Sequence, residues 1–519
     1  MKAPYYITTP IYYVTDAPHI GHLYTTVAAD IMARYQRAMG KDVWFLTGTD
    51  EHGQKIQKKA KESGETPQQL ADRVVQRYLS AWKTYNISYD DFIRTTEERH
   101  KTVVQDFIRR LMESNDIYLS EYEGWYCVPD EAYWTETQVI DGKCPDCGRA
   151  VERLKEESYF FRMSAYQERL LDHIEAHPEF IFPEARRNEV VSFVRSGLKD
   201  ISISRTTIQW GIPMPEDSKA TKVHKVYVWF DALTNYISAL GGTQNAPKYG
   251  KFWNQAVHLV GKDILRFHAV YWPTFLMALK LPLPKQIVAH GWLTDAHRKI
   301  SKSLGNVVDP MAMAEQVGVD PFRFFLFREF SFGMDGEYTQ ALLYHRINAD
   351  LANDYGNSVN RVVAMIEKYL GEKPLGTVAA LAQPSPLKDT VVETLPRAHA
   401  ALQGFHYEKA LEQTWQILTG VSRYIETNAP WALAKDKSDA AATKLEHVLL
   451  HCHEALRTVS VFLWPFIPSS ASKALQYLGD VESLKRAAPL LDAGGWGQGP
   501  AHVKVAKGPA LFPRLELPA

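Results

Sequence analysis

Apolar residues at Ile20, Leu23, Val27, Ile31 and Tyr35 recur three or four positions apart, the repeat of a helix with one buried face, and the pattern stops at Gly40. Ahead of it, Tyr5 to Thr8 reads as a β-rich run, followed by a polar loop through Thr15-Asp16-Ala17-Pro18. Behind it, Val43-Trp44-Phe45-Leu46-Thr47 has the length and composition of a buried strand. Thr66-Pro67-Gln68-Gln69 predicts a helix start, with an N-cap, a proline in the first turn and a capping-box glutamine. Phe92 and Ile93 predict a short strand before a helix beginning near Thr96. Such strand–helix alternation predicts a parallel sheet with helices on its faces.

The rhythm breaks after about Asn115. Between 117 and 223 lie Tyr- and Trp-rich short strands, a cysteine cluster and one helix predicted to start at Ser164 with Gln167 as its capping partner. A β-rich pattern resumes at Val226-Tyr227-Val228-Trp229-Phe230 and at Val257-His258-Leu259-Val260. Beyond Tyr344 the chain becomes helical, with amphipathic stretches from Ile347 to Tyr369 and from Glu408 to Thr427, and the tail from Pro489 has little periodicity. The 519 residues exceed one ordinary core. We expect an α/β, Rossmann-like parallel-sheet domain in two halves (1–116 and 224–297) split by an insertion (117–223). A short region (298–344), a helical bundle (345–480) and a tail (481–519) follow.

Composition narrows the function classes. Hydrophobic residues at 45% and charged residues at 23% argue against disorder. The 59 Lys and Arg against 60 Asp and Glu leave a formal charge of −1, so a nucleic acid would be held by local basic patches, not a whole-molecule field. No apolar run approaches the ~20 residues that span a bilayer, and the first residues carry no signal-peptide core, so a cytoplasmic protein with no membrane association is expected.

Three of the four cysteines form two knuckles, Cys127-Val128-Pro129-Asp130 and Cys144-Pro145-Asp146-Cys147. Matching two-residue gaps fit a single structural zinc site, in which Asp130 would supply a carboxylate oxygen in place of a thiolate. The residues alone also allow Asp130 to be a turn residue beside a degraded site. Cys452, between two histidines in a helical stretch, reads as core or surface.

Two segments suggest phosphate chemistry. His19-Ile20-Gly21-His22 lies where the first loop enters the first helix, and helix N-termini attract anions through free N–H groups. Arg298-Lys299-Ile300-Ser301-Lys302-Ser303, followed by Leu304-Gly305-Asn306, makes a mobile cationic loop able to close over a triphosphate. Singly, the first could be a capping pair of surface histidines and the second a solvated basic loop.

Together the two segments resemble the signatures of class I aminoacyl-tRNA synthetases, with Ile300 where methionine is usual. Further motifs resemble the methionyl-tRNA synthetase family over nearly the whole chain: Thr47-Gly48-Thr49-Asp50-Glu51-His52-Gly53, Tyr227-Val228-Trp229-Phe230-Asp231-Ala232, Gly261-Lys262-Asp263-Ile264, His290-Gly291-Trp292 and Asn348-Ala349-Asp350. The resemblance implies ATP-dependent attachment of L-methionine to its tRNAs, initiator and elongator, through methionyl-adenylate, with Mg²⁺ accompanying ATP. It makes 298–344 a stem-contact region and 345–480 an anticodon-binding domain, and assigns the 117–223 segment the single zinc knuckle of the short bacterial forms.

By the same resemblance His19, His22, Lys299 and Lys302 are catalytic, and His19, Gly21, His22, Gly261, Asp263, His290, Gly291 and Lys302 bind ATP. Asp50 would pair with the methionine ammonium. Ile11, Tyr13, Trp229, Ala232, Leu233, Tyr236, Ile264 and His268 would surround its side chain, with the Tyr13 hydroxyl and the His268 imidazole as donors to sulfur. Without the resemblance those aromatics read as ordinary core. Cys127, Asp130, Cys144 and Cys147 hold zinc in this reading. Asn357 and Arg361, one helical turn apart, and Trp431, after Pro430, would read the anticodon; an Asn/Arg pair is otherwise a solvated face. The chain ends without the dimer-forming extension of longer relatives, so a monomer is expected. A small-molecule nucleotidyltransferase and a non-catalytic RNA-binding relative are the competing readings. A synthetase for isoleucine, leucine or valine would need a larger editing insertion than 117–223 offers.

Overall fold

The computed structural model describes residues 2–130, 132–134, 136, 138–145, 147–217, 219–244, 246–295, 298–299, 308–371, 375, 378–500 and 503–516. Two compact units emerge: Pro4–Ala29 with Val43–His290, and Met1–Ala3 with Asp30–Asp42 and Gly291–Ala519.

The first unit starts with β1 (Pro4–Tyr13), α1 (Ile20–Ala38), β2 (Asp42–Asp50), α2 (Gln54–Ser63), α3 (Pro67–Thr84), β3 (Asp91–Arg94) and α4 (Glu98–Glu113). The expected capping box closes α3: the Gln69 N–H donates to Thr66 Oγ1 and the Thr66 N–H to Gln69 Oε1, at 3.2 and 2.9 Å. Next come β4 (Ile117–Cys127), β5 (Ala132–Trp134), β6 (Glu152–Phe161), α5 (Gln167–Ala176), β7 (Ile181–Phe182), α6 (Glu184–Arg195), β8 (Ile201–Ser202), β9 (Ser204–Arg205) and β10 (Lys225–Val226). Then follow α7 (Val228–Ser238), α8 (Pro247–Phe252), β11 (Ala256–Gly261), a π-helical turn (Phe267–Tyr271), α9 (Trp272–Ala278) and β12 (Gln286–His290).

The main sheet has the order β3-β2-β1-β11-β12-β7, with parallel pairing of β2 to β3, β1 to β11, β11 to β12 and β12 to β7. Chain order runs outward from β1 through β2 to β3 in one direction and from β11 to β12 in the other, with the earlier strand β7 added at the edge beyond β12. The boundary between β1 and β11 is thus a topological switch point, where a crevice opens beyond the carboxyl ends of the strands. A second, antiparallel sheet, β5-β4-β6-β8, is built on the long β4–β6 pairing from Ile117↔Phe161 to Tyr126↔Glu152.

Three sequence expectations are corrected here. Val228-Trp229-Phe230 is not strand: β10 stops at Val226 and α7 starts at Val228, and ten of the helix's residues are buried, including its polar stripe of Asp231, Thr234, Asn235 and Ser238, so no solvent-facing side distinguishes its first turn from a buried strand. Ser164 does not cap α5. It lies in a 3₁₀ turn, Met163–Tyr166, and bonds Asp200, while Gln167 accepts the Leu198 N–H. And the 117–223 segment returns one strand to the main sheet, with Ile181 paired to Ile287.

The second unit carries a small sheet of β13 (Leu293–Asp295), β14 (Arg298–Lys299) and β15 (Gly336–Glu337). Its helices are α10 (Pro310–Val317), α11 (Val319–Arg328), α12 (Gln340–Arg346), a π-helical stretch (Ile347–Gly356), α13 (Asn357–Leu370), α14 (Val378–Leu381), α15 (Pro386–Gln403), α16 (Tyr407–Asn428), α17 (Pro430–Leu433), α18 (Asp439–Leu463), α19 (Pro468–Tyr477) and α20 (Pro489–Asp492). The C-terminal half of α18 is wholly buried and forms the axis of the bundle. Arg323, fully buried, bonds Asp30 at 2.7 Å and the carbonyl of Phe466 at 2.9 Å, so its charge is paired as burial requires. The tail is tied down as well: Leu515 exchanges two 2.8 Å hydrogen bonds with the Asn348 amide. Among the described residues no helix is long and apolar enough to cross a membrane.

Candidate active site, metal centre and nucleic-acid interface

The carboxyl ends of the central strands bring most of the expected residues of the first unit to one edge. β1 ends at Tyr13, β2 at Asp50, β11 at Gly261 and β12 at His290, with Gly261 and His290 in register. The Val14 N–H donates to the Asp50 carbonyl at 3.3 Å, which fixes the ends of β1 and β2 side by side.

His19 and His22 meet at the mouth of α1, their rings 3.8 Å apart. The Gly21 N–H donates to His19 Nδ1 and the His19 N–H to His22 Nδ1, both at 3.1 Å. A backbone N–H can only donate, so each Nδ1 is an acceptor and each ring is the neutral tautomer with its hydrogen on Nε2. Two N–H donors are thereby oriented at a helix N-terminus, where anions are favoured. Gly21 lets the His19 ring sit this close: a Cβ there would lie 2.9 Å from His19 Cε1, and the ring would have to move. One turn on, Thr25 Oγ1 sits 2.7 Å from His290 Nε2 and 3.2 Å from the Gly21 carbonyl, tying α1 to β12. A Cβ on Gly261 would lie 2.6 Å from Asp263 Oδ1. Gly291 belongs to the second unit. Lys299 is described by its backbone in β14 alone, and Lys302 lies outside the described residues.

Trp229, Ala232, Leu233 and Tyr236 recur at helical spacing along α7, and Trp229 stacks on Phe267 at 3.8 Å, nearly parallel. Phe267 was not anticipated from the sequence, where a lone phenylalanine beside Arg266 carries no signal. His268 is buried and neutral: burial lowers its pKa to about 4. Its Nδ1 lies 2.9 Å from the Ile264 carbonyl and its Nε2 2.7 Å from the Tyr236 hydroxyl. A carbonyl can only accept, so Nδ1 carries the hydrogen and Nε2 accepts from Tyr236. In this arrangement His268 is not the sulfur donor that the sequence reading made it. Ile11 and Tyr13 are half-buried at the end of β1, and the Tyr13 ring lies 4.4 Å beneath the Lys55 ammonium. Asp50 is buried, with Oδ1 3.5 Å from the His52 N–H.

The four knuckle residues converge. Ligand atoms of Cys127, Asp130, Cys144 and Cys147 all lie within 4.8 Å of one another. Cys127 Sγ is 3.5 Å from Cys147 Sγ and 3.4 Å from Asp130 Oδ2, and Cys144 Sγ is 3.2 Å from the same oxygen. Zn–S bonds of ~2.3 Å in a tetrahedron put ligand atoms ~3.8 Å apart, so the set fits one such ion. The second knuckle turns through Gly148 at φ +70°, with the Gly148 N–H on the Cys144 carbonyl at 2.9 Å. Burial and the Asp130 carboxylate push the Cys147 thiol up to about 11.

In the second unit Asn357 opens α13, exposed, and Arg361 follows one turn later with its guanidinium 5.9 Å from the Trp431 ring centre. Ala429, in the left-handed region at φ 42°, ends α16 and starts α17, and the abrupt turn leaves Trp431 42% exposed. A half-exposed tryptophan beside a guanidinium is a platform on which an unstacked base can sit.

Comparison with known proteins adds an independent line. The family model described as tRNA synthetases class I (M) matches residues 5–155 and 149–363. The chain is 48% identical over 525 residues to the methionine–tRNA ligase of Caldanaerobacter subterraneus subsp. tengcongensis, covering 100% of this chain and 80% of that protein. It is 48% identical over 526 residues to the methionine–tRNA ligase of Bacillus subtilis, covering 99% and 78%. The solved structure of Mycobacterium tuberculosis methionyl-tRNA synthetase in complex with methionyl-adenylate superposes with a TM-score of 0.92 at 40% identity, covering 99% of this chain and 100% of that one. The free form of that enzyme gives 0.86 at 37% identity.

Proposed function

This chain belongs to the methionyl-tRNA synthetase family of class I enzymes, and from that premise we propose how its residues divide the work. It is a methionine–tRNA ligase that couples ATP to the attachment of L-methionine to tRNA through methionyl-adenylate. In the first step a methionine carboxylate oxygen attacks the α-phosphorus of ATP. The new P–O bond forms as the bond to the β-phosphate oxygen breaks, and pyrophosphate leaves. In the second, a ribose hydroxyl of the terminal tRNA adenosine attacks the activated carbonyl, the ester forms and AMP departs.

The observation that carries the assignment of roles is the pair of fixed tautomers at the mouth of α1. His19 and His22 present Nε2–H groups to phosphate oxygens and stabilise charge that grows as pyrophosphate leaves. The ε-ammonium groups of Lys299 and Lys302 complete that stabilisation. Gly261 and Gly291 let backbone approach the nucleotide, with Asp263 and His290 beside it. Asp50 receives the methionine ammonium, and Ile11, Tyr13, Trp229, Ala232, Leu233, Tyr236, Ile264 and His268 shape an uncharged pocket for the thioether. Mg²⁺ bound to ATP would screen its phosphate charge. Cys127, Asp130, Cys144 and Cys147 would hold one zinc ion, which would brace the β4–β5 corner. Asn357, Arg361 and Trp431 read the anticodon of initiator and elongator methionine tRNAs. We place the enzyme in the cytoplasm.

ATP–pyrophosphate exchange measured with each of the twenty amino acids, followed by charging of methionine tRNA, tests this reading. Exchange should depend on methionine and charging should follow. Exchange with no amino-acid preference, or methionine-dependent exchange without charging, would overturn it.

A further inference from the structure

Between the ammonium partner Asp50 and the pocket helix α7 lies a buried network with no part in the reaction as described above. Asp231, on α7, is fully buried and receives two imidazoles: His52 Nδ1 lies 2.7 Å from its Oδ2, and His100 Nε2 lies 2.7 Å from its Oδ1. Burial works against the charge, but the two histidines outweigh it and hold the carboxyl down at about 2, so Asp231 is an anion that can only accept. His100 Nδ1 continues to the Ser238 hydroxyl at 2.8 Å, so α4 is tied to α7 at two points seven residues apart, one face of the helix. Trp229, Ala232, Leu233 and Tyr236 lie elsewhere around that helix.

The other end of the network is the short loop after β2. His52 is two residues from Asp50, and its N–H faces Asp50 Oδ1 at 3.5 Å. Glu51, between them, is locked by Thr49, Arg94 and Thr96, at 2.7, 2.7 and 2.5 Å, and its carbonyl accepts from Trp210 Nε1 at 2.5 Å. The loop is thus fastened on one side to the sheet and on the other, through His52, to the helix that carries the pocket side chains. An anion in a dry site with two charge-assisted hydrogen bonds is a stiff joint, and truncating one partner leaves the others buried and unpaired.

We propose that Asp231 is a positioning residue for methionine recognition: through His52 it fixes the Asp50 carboxylate at the distance from α7 that the amino acid's ammonium and side chain demand. The inference deepens the proposed function and rests on Asp50 pairing with the ammonium. Its consequence is specific, because a joint that sets only the Asp50 position affects ligands bearing an ammonium and spares those without one.

The experiment compares the intact wild-type chain with Asp231→Asn, His52→Ala and His52→Asn. The amide nitrogen of asparagine takes the place of Nδ1, so the last variant keeps the donor. Asp231→Asn and His52→Ala should raise the methionine KM in pyrophosphate exchange about tenfold or more, with kcat and the ATP KM within about threefold of wild type. The inhibition constant of methioninol, which keeps the ammonium, should rise in parallel, and that of 4-(methylsulfanyl)butanoate, which lacks it, should not move. His52→Asn should restore most of the methionine affinity lost in His52→Ala. Equal weakening of both analogues, a fall in kcat alone, or no rescue by asparagine would overturn the proposal. Should Asp231→Asn fail to fold by circular dichroism, the His52 pair decides alone. A wild-type enzyme without methionine-dependent exchange would overturn this proposal together with the function it rests on, and is recognised before any variant is compared.

Discussion

Replacing Gly21 by alanine separates the role of the paired imidazoles from their contribution to folding. The added Cβ would stand 2.9 Å from His19 Cε1 and 3.1 Å from its Nδ1, where ordinary contact begins at 3.4 Å. The ring must therefore retreat by ~0.5 Å, a displacement on the scale at which a catalytic group loses its geometry. The 3.1 Å bond from the Gly21 N–H to Nδ1 is lost with it, and the hydrogen is no longer confined to Nε2. Losing one pre-oriented donor to a growing oxyanion costs about 10²- to 10³-fold in rate, or about 2.7–4 kcal/mol. Folding should not suffer, since alanine in a first helical turn is favoured over glycine by ~0.5–1 kcal/mol. The expected outcome is methionine-dependent pyrophosphate exchange slowed about 100-fold or more, at a Tm equal to or above wild type. Exchange within about threefold of wild type would refute the assignment of His19. A parallel collapse of Tm would show that the glycine serves packing instead.

Three further outcomes follow from the same geometry. Purified protein should carry about one zinc per chain; Asp130→Ala should lower the metal content and Tm while Asp130→Cys preserves both, and full zinc in the alanine variant would remove the carboxylate from the site. Trp431→Ala and Arg361→Ala should each lower kcat/KM for tRNA charging about 5- to 150-fold, the equivalent of about 1–3 kcal/mol for one stacked base, with pyrophosphate exchange unchanged; equal losses in both assays would contradict an anticodon role. Burial lowers the pKa of His268, His399 and His451 to about 4 each. The unfolded chain takes up protons on them near pH 6.5 and the folded chain does not until about 4, so Tm should fall as pH drops across that window, and a Tm flat between pH 7 and 5 would contradict neutral burial.

The alternating strands and helices of the first hundred residues were legible where their signals are local: a 3.6-residue stripe, a capping box and an unbroken apolar run each lie within one element. The failures have equally physical causes. At the start of α7 the unbroken apolar run from Val226 to Phe230 reads as a buried strand, and the helical spacing shows only in the polar residues Asp231, Thr234, Asn235 and Ser238 that follow. β7 has two residues, too few for any alternation, and exists because β12 offers it an edge. At the site, the His19–His22 pair could be found since both imidazoles come from one turn. The Asp231 network could not: its histidines lie 179 and 131 residues from the carboxylate along the chain, and no spacing rule reaches so far. The convergence of Cys127, Asp130, Cys144 and Cys147 was legible despite the distance between knuckles, since two-residue gaps are what metal geometry favours.

Hydrogen bonds to single-function backbone groups also decide what each histidine of the site can do, and this settles a question the residue names leave open. His19 and His22 accept from N–H groups and so face outward as neutral donors, whereas His268 donates to a carbonyl and becomes an acceptor for Tyr236. Fixed cations at the mouth of α1 would attract the triphosphate strongly before reaction as well as during it, and such uniform binding lowers KM without raising kcat. Neutral donors held by the backbone attract the resting nucleotide less, and gain most where negative charge grows, without having to reorganise. In the proposed reaction full charge would come instead from Lys299 and Lys302 in a separate stretch of sequence, Arg298 to Ser303, so affinity and acceleration could be tuned separately. In the proposed thioether pocket the same logic runs in reverse. A charged imidazole would favour water over sulfur, and burial with the proton committed to Ile264 keeps His268 neutral and the pocket suited to an apolar side chain.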